Sequence, residues 1–222
     1  MNPALAVIGV AVLAGAVVAV AAHEGRPAIL GLILALIAAP LVAAPLPPVL
    51  PLTARLVAAI LVGYVLWIAM RGAPTHGRTR GSRLGWPVEA LGAAAAAVVG
   101  FGLGGAGAGG NPEAMSVGLA LTALAIPPLV RGDALQVGIG TALLVTAVEV
   151  LRVGLAGPAS PLEHLAASAV LAAIGAAVAL LVDASIATGG SLEVADRRPG
   201  GARPADEGIE PVRPWYRPRL RR

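Results

Sequence analysis

Arg131 to Gly157 reads RGDALQVGIGTALLVTAVEVLRVGLAG, and how this stretch is read decides the fold. A helix that crosses about 30 Å of hydrocarbon needs roughly 20 apolar residues, so this run is long enough to span a bilayer. It nevertheless carries Glu149 and Arg152 inside the apolar sequence. An ionisable group within a spanning helix costs roughly a few kcal/mol and therefore faces protein or water rather than lipid. Three residues apart on a helix, Glu149 and Arg152 share a face, and the spacing predicts that they neutralise each other. Two roles fit such a pair: a structural tie between helices near the membrane surface, or a part in moving protons or other ions.

Composition extends the same reading to the rest of the chain. Of 222 residues, 57% are hydrophobic and only 13% are charged, which excludes an ordinary soluble globular domain. Backbone groups in lipid must be satisfied internally, leaving only helices or closed barrels. Aromatics are 3% of the chain, too few for the girdles of a membrane barrel, so helices are expected. All 16 basic residues are arginine, and they concentrate in one loop and the C-terminal tail. In a polytopic protein such clusters set orientation and meet anionic lipid, and no nucleic-acid partner is expected. With no cysteine, thiolate chemistry, disulfides and iron–sulfur ligation are excluded.

Outward from the central stretch, six further apolar runs are legible. Residues 4–22 end in small residues but lack a basic leader, and they read as a retained spanning helix. After a turn at residues 23–26, the second run covers Pro27–Ala44 with Pro40 bending its far end. Pro45, Pro47, Pro48 and Pro51 predict an extended connector. The third run is Leu52–Met70, with Tyr64 and Trp67 as interfacial aromatics and Arg55 one turn inside, expected to snorkel to the surface. The fourth is Trp86–Gly105, with Glu89 one turn inside. Its end matches G-x-G-x-x-G at Gly102, Gly104 and Gly107, but the dinucleotide fingerprint needs a preceding strand. Gly100 and Gly104 fit G-x-x-x-G, which points to close helix packing. Met115–Val130 is a short fifth run broken by Pro127 and Pro128. Asp133 is placed to cap the sixth helix, and Leu162–Ile186 is the seventh, opened by Glu163 and His164.

The expected fold is an all-α polytopic membrane protein with seven transmembrane helices in residues 1–188. Residues 189–222, rich in Gly, Pro and Arg, are too poor in apolar side chains to fold alone and read as a disordered basic tail. Residues 71–85 carry four arginines, and the tail carries eight. The positive-inside rule places both in the cytoplasm, with the N-terminus outside and the C-terminus inside. The outer connectors at 45–51, near Glu113, and at 157–161 carry no basic residue, so every loop agrees.

No H-E-x-x-H, G-x-S-x-G or P-loop signature appears. His23, His76 and His164 lie in different segments, so no metal site and no cofactor is expected, and no catalytic residue is assigned. Candidate chemistry rests on Glu149, Arg152 and Glu89 as proton-relay or ion-pair residues.

Residues 115–186 resemble the family that contains the K-type subunit of respiratory complex I, the C subunit of Mrp-type antiporters and the E-type membrane subunit of hydrogenase-4-like complexes. Asp133, Ala134, Leu135 and Gln136 stand at the family's polar turn. Ile139, Gly140, Thr141, Ala142 and Leu143 match its I-G-I-E-L motif, and Thr146, Ala147, Val148, Glu149 and Val150 match N-A-V-N-L. Ala169 to Val182 looks like its last helix. The four additional N-terminal spans look most like the hydrogenase-4 branch. The family's two intramembrane glutamates fall on Ala142 and Ile174, while Glu149, two turns along from Ala142, is the carboxylate that could stand in. The resemblance implies a membrane subunit of a proton- or ion-translocating redox complex in a bacterial plasma membrane. It would sit beside larger antiporter-like subunits, with anionic lipid or a soluble subunit at the arginine-rich tail. A standalone transporter, or an anchor presenting the tail, is the alternative.

The topology is checked by reporter fusions or by cysteine accessibility. Positions 76 and 195 are expected on the cytoplasmic side, and positions 48 and 159 on the other. Finding 76 and 159 on one side would overturn the seven-span order.

Overall fold

The computed structural model describes residues 3–22, 24–42, 46–71, 86–105, 111–130 and 134–187. These form seven α-helices: α1 (Pro3–Ala21), α2 (Gly25–Ala38), α3 (Val49–Arg71), α4 (Trp86–Gly105), α5 (Pro112–Val130), α6 (Ala134–Ala156) and α7 (Pro161–Ala187). With a 3-10 extension of α2 at Ala39–Val42, all seven are long and apolar enough to span a membrane. The arginine-rich loop, the tail and the Asp133 cap lie outside the described residues.

The chain runs up and down, so the start of α3, the end of α6 and the start of α7 meet at one end of the bundle. That end is called the rim below. The helix built from the opening stretch, α6, is the most enclosed: 61% of its span is buried, against 22% for α4. It packs on α5 and α7 and also touches α1 and α2. The helix α3 lies mainly against α7, and α4 lies against α5 and α1.

Helix ends follow local chemistry that the apolar runs alone do not reveal. Ser160 and Glu163 form a reciprocal capping box on α7. The Glu163 amide donates to Ser160 Oγ at 3.3 Å, and the Ser160 amide donates to Glu163 Oε2 at 2.6 Å. Pro161 fills the first helical position, where no N–H is needed. Asn111 caps α5 by accepting the Ala114 amide on Oδ1 at 3.1 Å, so this helix begins three residues before the predicted Met115. It also continues through Pro127 and Pro128 to Val130. Each proline removes one i→i−4 bond near the end of the helix, and the helix nevertheless runs on to Val130. In the same way Pro51, expected in the extended connector, sits in the first turn of α3, whose amides have no helical acceptor. At Pro40 the last turn of α2 tightens into the 3-10 geometry. Gly157 closes α6 at φ +83, a conformation that favours glycine.

Lipid supplies no hydrophobic drive between helices, so close approach must come from small residues. Gly15 of α1 and Gly31 of α2 lie on each other's backbones, leaving no room for a Cβ at either. Gly100 and Gly104 press α4 on the backbone of α5 at Ala120 and Ser116. Gly118 and Gly154 admit Leu151 and Met115 across the α5–α6 contact. Away from the rim, Arg26 of α2 stacks 5.5 Å from the ring centre of Trp67 on α3.

Two substitutions on α4 separate packing from helix propensity. Gly104→Leu forces α4 off α5 and is expected to cost about 1–3 kcal/mol or more, whereas Gly102→Leu meets open space and should be tolerated. Thermal unfolding in detergent micelles compares them. Equal losses would show that the α4–α5 contact is not set by Gly104.

Candidate functional site

Three helices each bring one ionisable side chain to similar depth near the rim. Arg55 stands six residues into α3, Glu149 seven residues before the end of α6, and His164 three residues into α7. At about 1.5 Å per residue the first two lie roughly 10 Å below their helix ends. Antiparallel neighbours with such offsets face one another.

Arg55 is 2% exposed and does not snorkel as expected. Its Nη2 meets Glu149 Oε2 at 2.8 Å and donates to Thr146 Oγ1 at 3.0 Å. Its Nη1 donates to the Ala167 carbonyl of α7 at 3.5 Å. Thr146 in turn donates its hydroxyl to the Ala142 carbonyl at 2.9 Å, which fixes the lone pairs that receive Arg55. A buried opposite charge and two polar acceptors thus substitute for water around the guanidinium.

The second oxygen of Glu149 is 3.1 Å from His164 Nδ1. A carboxylate only accepts, so with Glu149 ionised the Nδ1 nitrogen carries the proton. The backbone carbonyl of His164 takes the Ser168 hydroxyl at 2.7 Å, one turn deeper in α7. Beside the carboxylate and imidazole is a small cavity, walled by Ala39, Pro40, Ala114, Val150 and Val153, with room for about one water molecule.

The expected Glu149–Arg152 pair does not form. Arg152 reaches Glu163 Oε1 at 2.7 Å on the solvent-facing surface, with side chains 38% and 49% exposed. Helical side chains lean toward the N-terminus of their helix, and for Glu149 that direction is into the bundle, where Arg55 is buried. Glu163 is fixed by its capping box beside Arg152, at the rim. The two charges therefore divide between a buried partner and a solvated one. Glu89, half-buried in the first turn of α4, lies toward the opposite end of the bundle and does not join the cluster. Gly100 and Gly104 serve the α4–α5 contact described above.

Arg55 and His164 were not among the expected site residues. The usable signal was depth: an arginine a full turn and a half inside α3, matched by a carboxylate and a histidine on helices that end at the same side. Among the described residues no group of three or more His, Cys, Asp or Glu side chains could hold a metal ion. A scan of protein-family models and searches of curated proteins and of solved structures found no match for this chain.

Energetics distinguish the two ion pairs. Arg55→Met leaves Glu149 buried beside apolar surface and is expected to destabilise the bundle by about 3–5 kcal/mol. The double variant Arg55→Met/Glu149→Leu should recover much of that loss, because no lone charge remains. Arg152→Ala exposes its partner to solvent and should leave the unfolding midpoint near wild type. Unfolding of the four proteins in one detergent tests this. A double variant no better than Arg55→Met alone would refute the pairing.

Proposed function

We propose that this chain is a membrane subunit of a complex I-like or group 4 hydrogenase-like ion-translocating redox assembly, and that the Arg55–Glu149–His164 cluster is a link in its intramembrane polar chain. One observation carries the role of the cluster: a carboxylate held inside a spanning bundle has an arginine on one oxygen and a histidine on the other. A structural tie between α3 and α6 needs only the arginine and the carboxylate. The histidine adds a second group that can carry a proton on either ring nitrogen, and the adjoining cavity adds space for water. Intramembrane ionisable groups that face the bundle interior mark ion and proton pathways.

Assignment to such an assembly rests on the motif resemblance over residues 115–186 and on the seven-span architecture. In this role the chain holds no cofactor and performs no redox step itself. Arginine asymmetry puts the rim at the outer face of a plasma membrane and the basic tail inside, against anionic lipid or a soluble subunit. Larger antiporter-like subunits are its lateral partners.

Purification of the tagged chain in a gentle detergent is expected to bring down larger polytopic subunits at fixed stoichiometry. A monodisperse monomer that transports ions in liposomes would replace this proposal with a standalone transporter. Within an assembled complex, Glu149→Gln should slow proton translocation per electron transferred while leaving subunit composition intact. Unchanged coupling in that variant would reduce the cluster to a tie.

A further inference from the structure

We infer that Glu149 and His164 form a proton-exchange site at the rim, one that takes a proton from water and does not bind an alkali cation. The inference builds on the proposed role of the cluster but concerns the ligand of this one site. Both side chains line the same cavity, in direct contact at 3.1 Å, and the remaining walls are apolar. Among the described residues of the cavity wall, no other side chain can take a proton.

An alkali cation is a poor occupant for three reasons. A hard cation of this kind takes about six oxygen ligands, and the cavity wall supplies one carboxylate. Both oxygens of that carboxylate are engaged, one by Arg55 at 2.8 Å and one by His164 at 3.1 Å. Arg55, 2% exposed and tied to Thr146 and Ala167, occupies the buried side of the carboxylate and leaves no further oxygen there for a metal cation. A proton needs none of this coordination.

The transfer balances without any co-reactant. A hydronium ion at the rim delivers a proton to the ring nitrogen of His164 that does not face Glu149 and becomes water. The Nδ1 proton passes to Glu149 Oε1, leaving a neutral imidazole of the other tautomer and a neutral carboxylic acid. One proton enters the pair and one resides on Glu149. The reverse sequence releases it. Arg55 stays charged throughout and loses its ion-pair partner when Glu149 is protonated.

The other charged groups around the pair are accounted for element by element. From α3 there is Arg55, and from α5 there is Glu113, buried beside the cavity-lining Ala114. One turn along α6 Arg152 is paired with Glu163 of α7. The 3-10 turn contributes only Ala39 and Pro40. Among the described residues His164 is the proton-carrying side chain in contact with Glu149 Oε1, at 3.1 Å.

The test uses the full-length chain, with any subunits it brings, in lipid nanodiscs. Infrared difference spectra across a pH titration should show a protonated carboxylic acid band that is absent in Glu149→Gln. A matching histidine signal from imidazole-labelled protein should appear over the same pH range. In His164→Gln the midpoint of the Glu149 band should move by about one pH unit or more. Exchanging sodium for potassium or for a bulky organic cation should leave the wild-type titration in place. A titration that shifts with sodium concentration would overturn the inference in favour of a cation site, and this measurement needs no variant. A Glu149 band that ignores the state of His164, or no such band between mildly acidic and alkaline pH, would overturn it as well. Co-purification with antiporter-like subunits is read separately, so either conclusion can fail while the other stands.

Discussion

The pairing of Arg55 with Glu149 constrains more of this bundle than any other contact. Each charge alone would cost several kcal/mol in a low-dielectric interior, so neither helix can rotate or slide without stranding one of them. Arg55 also donates to Thr146 on α6 and to a backbone carbonyl on α7, which fixes three helices at one depth. His164 then completes the second oxygen of Glu149 from α7. Such a pair adds little net stability compared with well-packed apolar residues, but it strongly penalises every other register. The sequence retains costly charges where leucines would hold more tightly, and this argues that the charges serve something beyond stability.

That arrangement depends in turn on how closely the other helices pack. Where lipid competes equally for apolar side chains, helix contacts are decided by how near two backbones can come. Gly100 and Gly104 seat α4 on α5, while Gly118 and Gly154 seat α5 on α6. Gly175 of α7 meets Val62 of α3, two turns along α3 from Arg55 on the same face. Glycine contacts therefore set distance, and the ion pair sets register. Where the two coincide, at the α3–α6–α7 junction, the bundle is most constrained.

These two kinds of contact differ in how visible they are in a sequence. Spans were legible because a run of about 20 apolar residues has one stable solution in lipid. Their ends were legible only to within a turn. Pro51, Pro127 and Pro128 read as breaks, but Pro51 falls in the first turn of α3, where no amide bond is lost, and α5 continues past Pro127 and Pro128. The choice of partner for Glu149 was not legible. Local spacing put Arg152 three residues away, but spacing on one helix cannot report that Arg55, 94 positions earlier, arrives at the same depth from another. The capping box that fixes Glu163, and so draws Arg152 to the surface, lies in the residues Ser160 to Glu163 and was readable as a motif. His164 follows the same logic as Arg55: its role depends on tertiary neighbours, and a lone histidine near a helix start carries no local mark of it.

The position of the cluster has a consequence for any ion path. In the resembling family the intramembrane glutamates fall where this chain has Ala142 and Ile174, deeper than Glu149. Between Gln136 and Thr146 the buried face of α6 consists of Gly138, Ile139, Gly140, Ala142 and Leu143, none of which can carry a proton. Gln136 itself is buried with its carbonyl oxygen unpartnered among the described residues, 13 residues from Glu149 or about 20 Å along the helix. The apolar part of that stretch, from Gln136 to Thr146, is about 15 Å long and far beyond hydrogen-bond reach. Among the described residues, the buried face of α6 between Gln136 and Thr146 offers no polar side chain. Any path deeper into the bundle therefore depends on groups carried by helices other than α6.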